Sequence, residues 1–219
     1  LRMVVQGSAA LLLTCLMLAG GVRAQPLDEP LKPLPLPPVQ DPAKVELGRK
    51  LFNDVRLSVD ASVSCASCHR LATGGDGDVP FSMAANGRLE PVNTPSVFNA
   101  SLNAKQFWDG RADTLEQQVE AVVQSPQEMG NSWRAVMVTL GNDSVYRADF
   151  KAAYPDGVSA ANVQDALASY ERTLLTPDAR FDQYLRGNTD ILTTDEKYGY
   201  QRFKEYGCVA CHQGVNIGG

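Results

Sequence analysis

The sequence has only two histidines among its 219 residues, few alternating strand patterns and no excess of basic side chains. The two histidines limit the number of imidazole ligands that any metal in the chain can receive. The scarcity of alternation between apolar and polar residues argues against a sheet-based fold. Because 25 acidic residues outnumber 20 basic ones, a nucleic-acid-binding surface is also disfavoured.

The N-terminal segment has an apolar run, Leu11–Leu18, that is too short to predict a transmembrane helix. Arg2 precedes this run, and Val22–Ala24 resembles a small-residue cleavage site. Residues 1–24 are therefore predicted to be a secretory signal peptide, and the mature protein is expected in the periplasm without a membrane span. The remainder has 18 basic and 25 acidic residues, which favours a basic redox partner.

Two pentapeptides account for both histidines and four of the five cysteines: Cys65–His69 reads CASCH and Cys208–His212 reads CVACH. This spacing is the attachment signal for haem c. The thiols of Cys65 and Cys68, or of Cys208 and Cys211, add to the haem vinyl groups, and His69 or His212 ligates the iron. The sequence thus predicts two covalent haems. No histidine is left for the sixth position of either iron, and an open sixth position can bind a small oxidant.

Two other uses of these cysteines are a redox dithiol and half of a zinc site. Both are disfavoured because each pentapeptide carries the histidine of a haem motif. A tetrahedral zinc would also need a fourth ligand, and a histidine directly after the second cysteine is an awkward spacing for one metal.

The remaining pattern is helical. Residues 26–42 hold seven prolines and predict an extended spacer or strap, whereas residues 72–97, rich in Gly, Pro and Asn, predict a long functional loop. An apolar stripe runs from Trp133 to Leu140, and Gly141 is expected to end that helix. Helix start signals occur at Asp41–Pro42, Thr114–Gln117, Ser159 and Thr193–Glu196. The pattern predicts an all-α fold.

Eight blocks of sequence match one family: Leu47–Phe52, Ser64–His69, Asn93–Asn99, Gln106–Arg111, Pro126–Met129, Tyr170–Leu174, Phe181–Gly187 and Gly207–His212. The chain resembles bacterial di-haem cytochrome c peroxidases, a group that includes the MauG-like oxidases. The Phe-Trp-Asp-Gly-Arg block between two haem motifs is the most specific of these matches.

The resemblance implies two cytochrome c-like haem domains. The expected order is signal peptide 1–24, Pro-rich linker 25–42, N-terminal peroxidatic haem c domain 43–177 and the start of a C-terminal electron-transfer haem c domain, 178–219. Only seven residues follow His212, too few to wall the other face of a haem. We therefore expect the sequence to end inside the second haem domain, before the methionine that the family uses as sixth ligand of the second iron.

The resemblance also assigns roles to residues that do not bind haem. It implies inter-haem electron transfer through Trp108, a distal-pocket amide at Gln118 and acid–base catalysis at Glu128. From position alone, Trp108 would be a core aromatic, Gln118 a helix-margin residue and Glu128 a solvated turn residue. The family's calcium site matches Asn93, and its other ligands would lie past Gly219. Family members are often dimers, although nothing in these residues shows it.

One departure from the family bears on the first haem. Many members cap the resting peroxidatic iron with a histidine that would fall at position 85, where this chain has Ala85. Met83 is an alternative distal ligand, and its binding would make the haem a low-spin electron carrier.

The sequence therefore predicts a periplasmic di-haem peroxidase that reduces hydrogen peroxide to water with electrons from a small cytochrome c or a cupredoxin. Two alternatives stay open. The first is a MauG-like oxidase that acts on a partner protein, and the second is a di-haem electron carrier without enzymatic activity.

Overall fold

The helix starts follow from capping residues that the sequence announces. In the computed structural model, which describes residues 25–218, Asp41 Oδ1 accepts a hydrogen bond from Ala43 N–H at 2.8 Å at the start of the first helix. Ser159 Oγ accepts one from Asn162 N–H at 3.2 Å. Thr193 and Glu196 form a reciprocal capping box. These contacts satisfy amide groups that the first helical turn leaves unpaired.

Eight α-helices and several short 3₁₀ turns make up the regular structure of the described residues, without a β-strand. The predicted all-α fold is confirmed. No helix in residues 25–218 has the length and apolar character needed to cross a bilayer. The predicted signal peptide, residues 1–24, lies outside the described range. The helices are α1 Pro42–Phe52, α2 Cys65–Cys68, α3 Leu115–Gln124, α4 Trp133–Asn142, α5 Ser144–Ala153, α6 Ala160–Glu171, α7 Arg180–Leu185 and α8 Thr194–Glu205.

One predicted helix end is wrong. Helix α4 continues through Gly141 to Asn142, and α5, which the periodicity did not reveal, begins two residues later. Asp143 explains the close junction. Its N–H donates to Leu140 O at 3.2 Å, and its Oδ1 accepts from Val145 N–H at 2.8 Å. A single residue therefore ends one helix and caps the next.

The main hydrophobic core forms where α1 crosses α6. A Cβ added to Gly48 would lie 2.0 Å from the carbonyl oxygen of Ala166, so only glycine permits this approach. Leu51 and Phe52 of α1 are fully buried. The cluster also contains Leu47, Leu57, Val119, Val123, Val136, Leu140, Phe150, Val163 and Leu167.

The Pro-rich segment runs over the second haem motif rather than standing free. Leu31 is 5% exposed and packs with Leu185 and Tyr200 in a separate cluster. Lys32 N–H donates to Gly214 O at 2.9 Å, and Gly214 N–H donates to Pro30 O at 2.9 Å. We call residues 27–36 the strap, because these bonds tie it to the loop that follows His212.

Candidate functional site

A cavity of about 880 Å³ lies against the first haem motif. Cys65, Cys68 and His69 line one wall, and α3, α6 and the loop after α2 supply the others. Much of the lining is apolar, from Phe52, Leu57, Val97, Leu115, Val119 and Leu167. This volume lies in the upper part of the range of about 300–1,000 Å³ that is usual for small-molecule and cofactor sites. The residues present therefore fit a large, mostly apolar group attached to the two cysteines.

The state of the thiols argues against one alternative to haem attachment, the redox dithiol. Burial raises the pKa of Cys65 to about 12 and that of Cys68 to about 11. A redox dithiol needs the opposite, a thiol whose pKa is lowered. The cysteines of residues 25–218 form no disulfide, and no group of three or more His, Cys, Asp or Glu side chains in this range is arranged to hold a metal ion.

His69 is oriented as an iron ligand. Its Nδ1 lies 3.1 Å from the carbonyl oxygen of Gly75, which assigns the proton to Nδ1 and leaves Nε2 unprotonated for a metal. Burial lowers the pKa of His69 and so favours the neutral imidazole that metals bind. The ring of Phe52 lies 6.4 Å from the imidazole, centroid to centroid, at 42°.

The second motif repeats this arrangement. Cys208–Ala210 forms a 3₁₀ turn that begins three residues after the end of α8 at Glu205. His212 Nδ1 lies 3.2 Å from Ile217 O, and the ring of Phe203 lies 6.2 Å from the imidazole at 46°. In each unit, therefore, a phenylalanine packs on the histidine, and a carbonyl a few residues downstream orients it. His212 and Cys211 are exposed, whereas His69 and Cys68 are half-buried.

Gln118 and Glu128 line the cavity of the first motif together. Gln118 projects from α3, and Glu128 lies in the turn after it, where Glu128 N–H donates to Ser125 O at 3.0 Å. The Oε2 atom of Glu128 is buried and has no hydrogen-bond partner among the described residues. Burial raises the pKa of Glu128, although the Ser125 hydroxyl and the Arg111 charge oppose this rise. Glu128 is therefore not a solvated turn residue.

The family's histidine position adjoins Glu128 and carries no ligand atom here. Ala85 is fully buried, and its N–H donates to Glu128 O at 2.8 Å. Its neighbour Ala84 lines the cavity. Met83 is 54% exposed and is absent from the cavity lining, so its position does not support the alternative of a methionine ligand.

Trp108 lines the cavity and is 69% exposed, so it is not a core aromatic of the described residues. Its Nε1–H donates to the backbone oxygen of Asn93 at 2.8 Å. The preceding Phe107 has a φ of 68°, a strained value for a non-glycine residue, in a turn closed by Gln106 and Ala112. Strain of this kind is common where a fold fixes the direction of a functional side chain.

The comparisons with known proteins agree with this geometry. Residues 42–190 match the family model described as "Di-haem cytochrome c peroxidase". The chain belongs to this family. It is 43% identical over 193 residues to the cytochrome c peroxidase Ccp of Escherichia coli, covering 88% of this chain and 42% of that protein. It is 41% identical over 198 residues to the cytochrome c551 peroxidase of Pseudomonas aeruginosa, covering 89% and 57%.

A solved structure of a MauG-like protein associated with microbial copper homeostasis superposes with a TM-score of 0.74. It is 30% identical, and the match covers 84% of this chain and 57% of that one. The chain spans about half the length of the cytochrome c peroxidases that it matches. Membership of a di-haem cytochrome family implies haem c as the cofactor, in agreement with the two pentapeptides.

Three further carboxyl groups line the cavity and were missed from sequence: Glu171, Glu90 and the exposed Asp109, which pairs with Arg111 at 3.0 Å. Glu171 is 6% exposed, and burial raises its pKa to about 7. Its position four residues after the buried Leu167, on the apolar stripe of α6, was a signal that could have identified it. Glu90 lies in the long loop, where no periodicity distinguishes an inward-facing acid from a solvated one.

Proposed function

We propose that the protein is a periplasmic di-haem peroxidase that reduces hydrogen peroxide to water with electrons from a small cytochrome c or a cupredoxin. The observation that supports this most is the half-buried Glu128, whose buried Oε2 has no hydrogen-bond partner among the described residues and which lines the same cavity as Cys65, Cys68 and His69. A cavity without a distal imidazole needs another group for proton transfer, and Glu128 is placed to provide it.

The side chains divide the work at the first site. Cys65 Sγ and Cys68 Sγ would attach haem c, and His69 Nε2 would hold its iron, which supplies the binding position for peroxide and accepts electrons. Glu128 Oε2 takes the proton from the nearer peroxide oxygen and returns it to the departing oxygen. The amide of Gln118 orients peroxide or water in the same cavity. This is general acid–base catalysis, typically worth about 10²–10⁴-fold in rate.

The loop of residues 82–90 offers no strong second ligand for the iron that His69 would hold. Ala84 and Ala85 have no ligand atoms, and the Met83 side chain is exposed. We therefore expect the oxidised protein to react with peroxide directly, without the reductive activation that a histidine cap requires.

Electrons would enter at the second motif and reach the first site by way of Trp108. The position of Trp108 in the lining of the cavity at the first motif supports this role. Calcium at Asn93 and homodimer formation stay predictions. Asn93 Nδ2 donates to the carbonyls of Val79 and Pro80 at 3.1 and 3.2 Å, which fixes the direction of its side chain.

A MauG-like oxidase is the second candidate. Such oxidases also leave the peroxidatic site open, as Ala85 does here, and a MauG-like structure superposes on this chain. The two functions differ in what is oxidised. A peroxidase consumes electrons from a soluble donor, whereas the oxidase would modify a partner protein.

The test is Glu128→Gln in the haem-loaded protein, with Glu120→Gln as control because Glu120 is an exposed acid of α3. Mixed with peroxide in a stopped-flow instrument, the Glu128→Gln variant should react about 10²–10⁴-fold more slowly with an unchanged haem spectrum. The control should react like the wild type. Full peroxide turnover in Glu128→Gln would show that another group moves the proton.

A further inference from the structure

The loop that contains Ala85, at the position of the family's capping histidine, also brings a second carboxyl, that of Glu90, into the cavity. Ala84 N–H donates to Arg88 O at 2.7 Å, and Glu90 N–H donates to Ser82 O at 2.9 Å. These bonds fold residues 82–90 into a narrow turn. One side of the turn places Ala85 against the Glu128 backbone, and the other places Glu90 in the cavity lining.

The Glu90 side chain is held at the boundary between solvent and cavity. Thr94 Oγ1 donates to Glu90 Oε2 at 3.2 Å and lies 2.6 Å from Ser82 Oγ, with both hydroxyl residues almost fully buried. Glu90 Oε1 lies 3.8 Å from Cys68 Sγ. Once Cys68 is a haem thioether its sulfur has no hydrogen to donate, so Oε1 is left available to hold a proton.

Glu90 and Glu128 line the same cavity, and the charge of Glu128 acts on Glu90. Burial raises the pKa of Glu90, the Thr94 hydroxyl lowers it, and the charge of Glu128 raises it further. Both carboxylates also raise the pKa of Cys68, whose Sγ lies 3.8 Å from Glu90 Oε1. The cations of the lining are Lys105 and Arg111, and Arg111 acts on Glu128.

The stoichiometry of peroxide reduction requires a proton source besides Glu128. Each turnover follows H₂O₂ + 2 H⁺ + 2 e⁻ → 2 H₂O. The transfer by Glu128 moves one proton from the near oxygen to the departing oxygen and adds none. Two protons must therefore come from solvent while the donor supplies two electrons. Glu90 is half-buried and lines the same cavity as Glu128. Of the other acids in the lining, Glu171 is almost fully buried, and Asp109 pairs with Arg111 at 3.0 Å.

We propose that Glu90 is a proton-relay residue, which carries solvent protons into the distal pocket to complete the second water. This inference rests on the proposed peroxidase function. The competing explanation is that Glu90 only tethers the loop through Thr94 and the Ser82 backbone. The two explanations differ for a glutamine, which still accepts the Thr94 hydrogen bond and cannot release a proton.

The experiment uses the haem-loaded protein with Glu90→Gln, Glu90→Asp and the control Glu120→Gln. In Glu90→Gln, the rate constant for the first reaction with peroxide should stay within about twofold, while steady-state turnover falls about 10-fold or more. The solvent deuterium isotope effect on turnover should increase. Glu90→Asp should restore part of the turnover, because it keeps a carboxyl.

Two readouts do not depend on turnover. A pH-indicator dye should show slower proton uptake in Glu90→Gln after one peroxide equivalent meets the reduced protein. Infrared difference spectra across a pH titration of the oxidised protein should lose one protonated-carboxyl band. If Glu90→Gln leaves proton uptake and turnover unchanged, Glu90 only tethers the loop and the proposal is overturned. The proposal is also overturned if the first reaction with peroxide slows as much as turnover does. A wild-type protein inert to peroxide would refute the proposed function, whereas the infrared band would still test whether Glu90 holds a proton.

Discussion

The buried acid Glu171 makes stability depend on pH in a way that can be worked out from the structure. It lies at the end of α6 with 6% exposure and lines the cavity. Burial raises its pKa from 4.5 to about 7, while Arg172 lowers it and Glu116 adds to the rise. The native protein therefore keeps this proton to higher pH than the unfolded chain does.

The direction follows from proton counting. Between pH 4.5 and 7 the native state holds more protons at Glu171 than the unfolded state, so the free energy of unfolding falls as pH rises. A rise of about 2.5 in pKa corresponds to about 3 kcal/mol, at about 1.4 kcal/mol for each factor of ten in the protonation equilibrium. The stabilising contribution of the bound proton is complete below pH 4.5 and is lost by the time the pH exceeds 7.

Glu171→Gln removes this titration and keeps the size of the side chain. Denaturant unfolding of the haem-loaded wild type and variant should be measured at several pH values from about 4.5 to about 7.5, with two spectroscopic probes to establish a two-state transition. The difference between the two free energies should change by about 3 kcal/mol over this range. Glu120→Gln, the exposed control, should show a constant difference. A difference for Glu171→Gln that stays equally constant would refute the reasoning.

Three further predictions concern other parts of the chain. Trp108→Phe should slow electron transfer between the haems in a flash-reduction experiment. Because the indole is exposed, the substitution should not lower the unfolding temperature. An unchanged transfer rate would leave Trp108 no electronic role. Leu31→Ala should cost about 2–5 kcal/mol of stability, as for other buried leucines, whereas Leu36→Ala on the same segment, at 76% exposure, should cost little. Resting oxidised protein should react with peroxide at once, and a requirement for prior one-electron reduction would show a ligand on the distal side.

Local chemistry made the helices and the haem motifs predictable. Asp41, Ser159 and Thr193 cap their helices through contacts two or three residues away, so the necessary information lies within one turn of chain. The cysteine and histidine of a pentapeptide are likewise neighbours in sequence. Helix α5 was missed because the polar residues 141–144 predict only the end of α4, whereas Asp143 also caps the start of α5.

The candidate site was only partly predictable, because its residues are brought together over long sequence separations. Gln118, Glu128 and Trp108 were expected on the basis of family blocks, and the structure places all three around one cavity. Their solvent exposure could not be derived locally. Glu128 follows a serine and a proline in a turn, as a solvated residue would, yet the Ala85 segment packs on its backbone from 43 positions away.

The contacts of the strap also join residues that are far apart in the sequence, and they involve the surroundings of the second haem motif. Seven prolines predict an extended segment but not its contacts. Tyr200 O–H donates to Glu29 at 3.0 Å, and Lys204 pairs with the same carboxylate at 2.9 Å across 175 positions. Phe203, whose ring lies 6.2 Å from the His212 imidazole, packs against the same cluster as Leu31. The family model matches residues 42–190, so the strap lies outside the matched region. The strap nevertheless stabilises the helix whose Phe203 packs on His212.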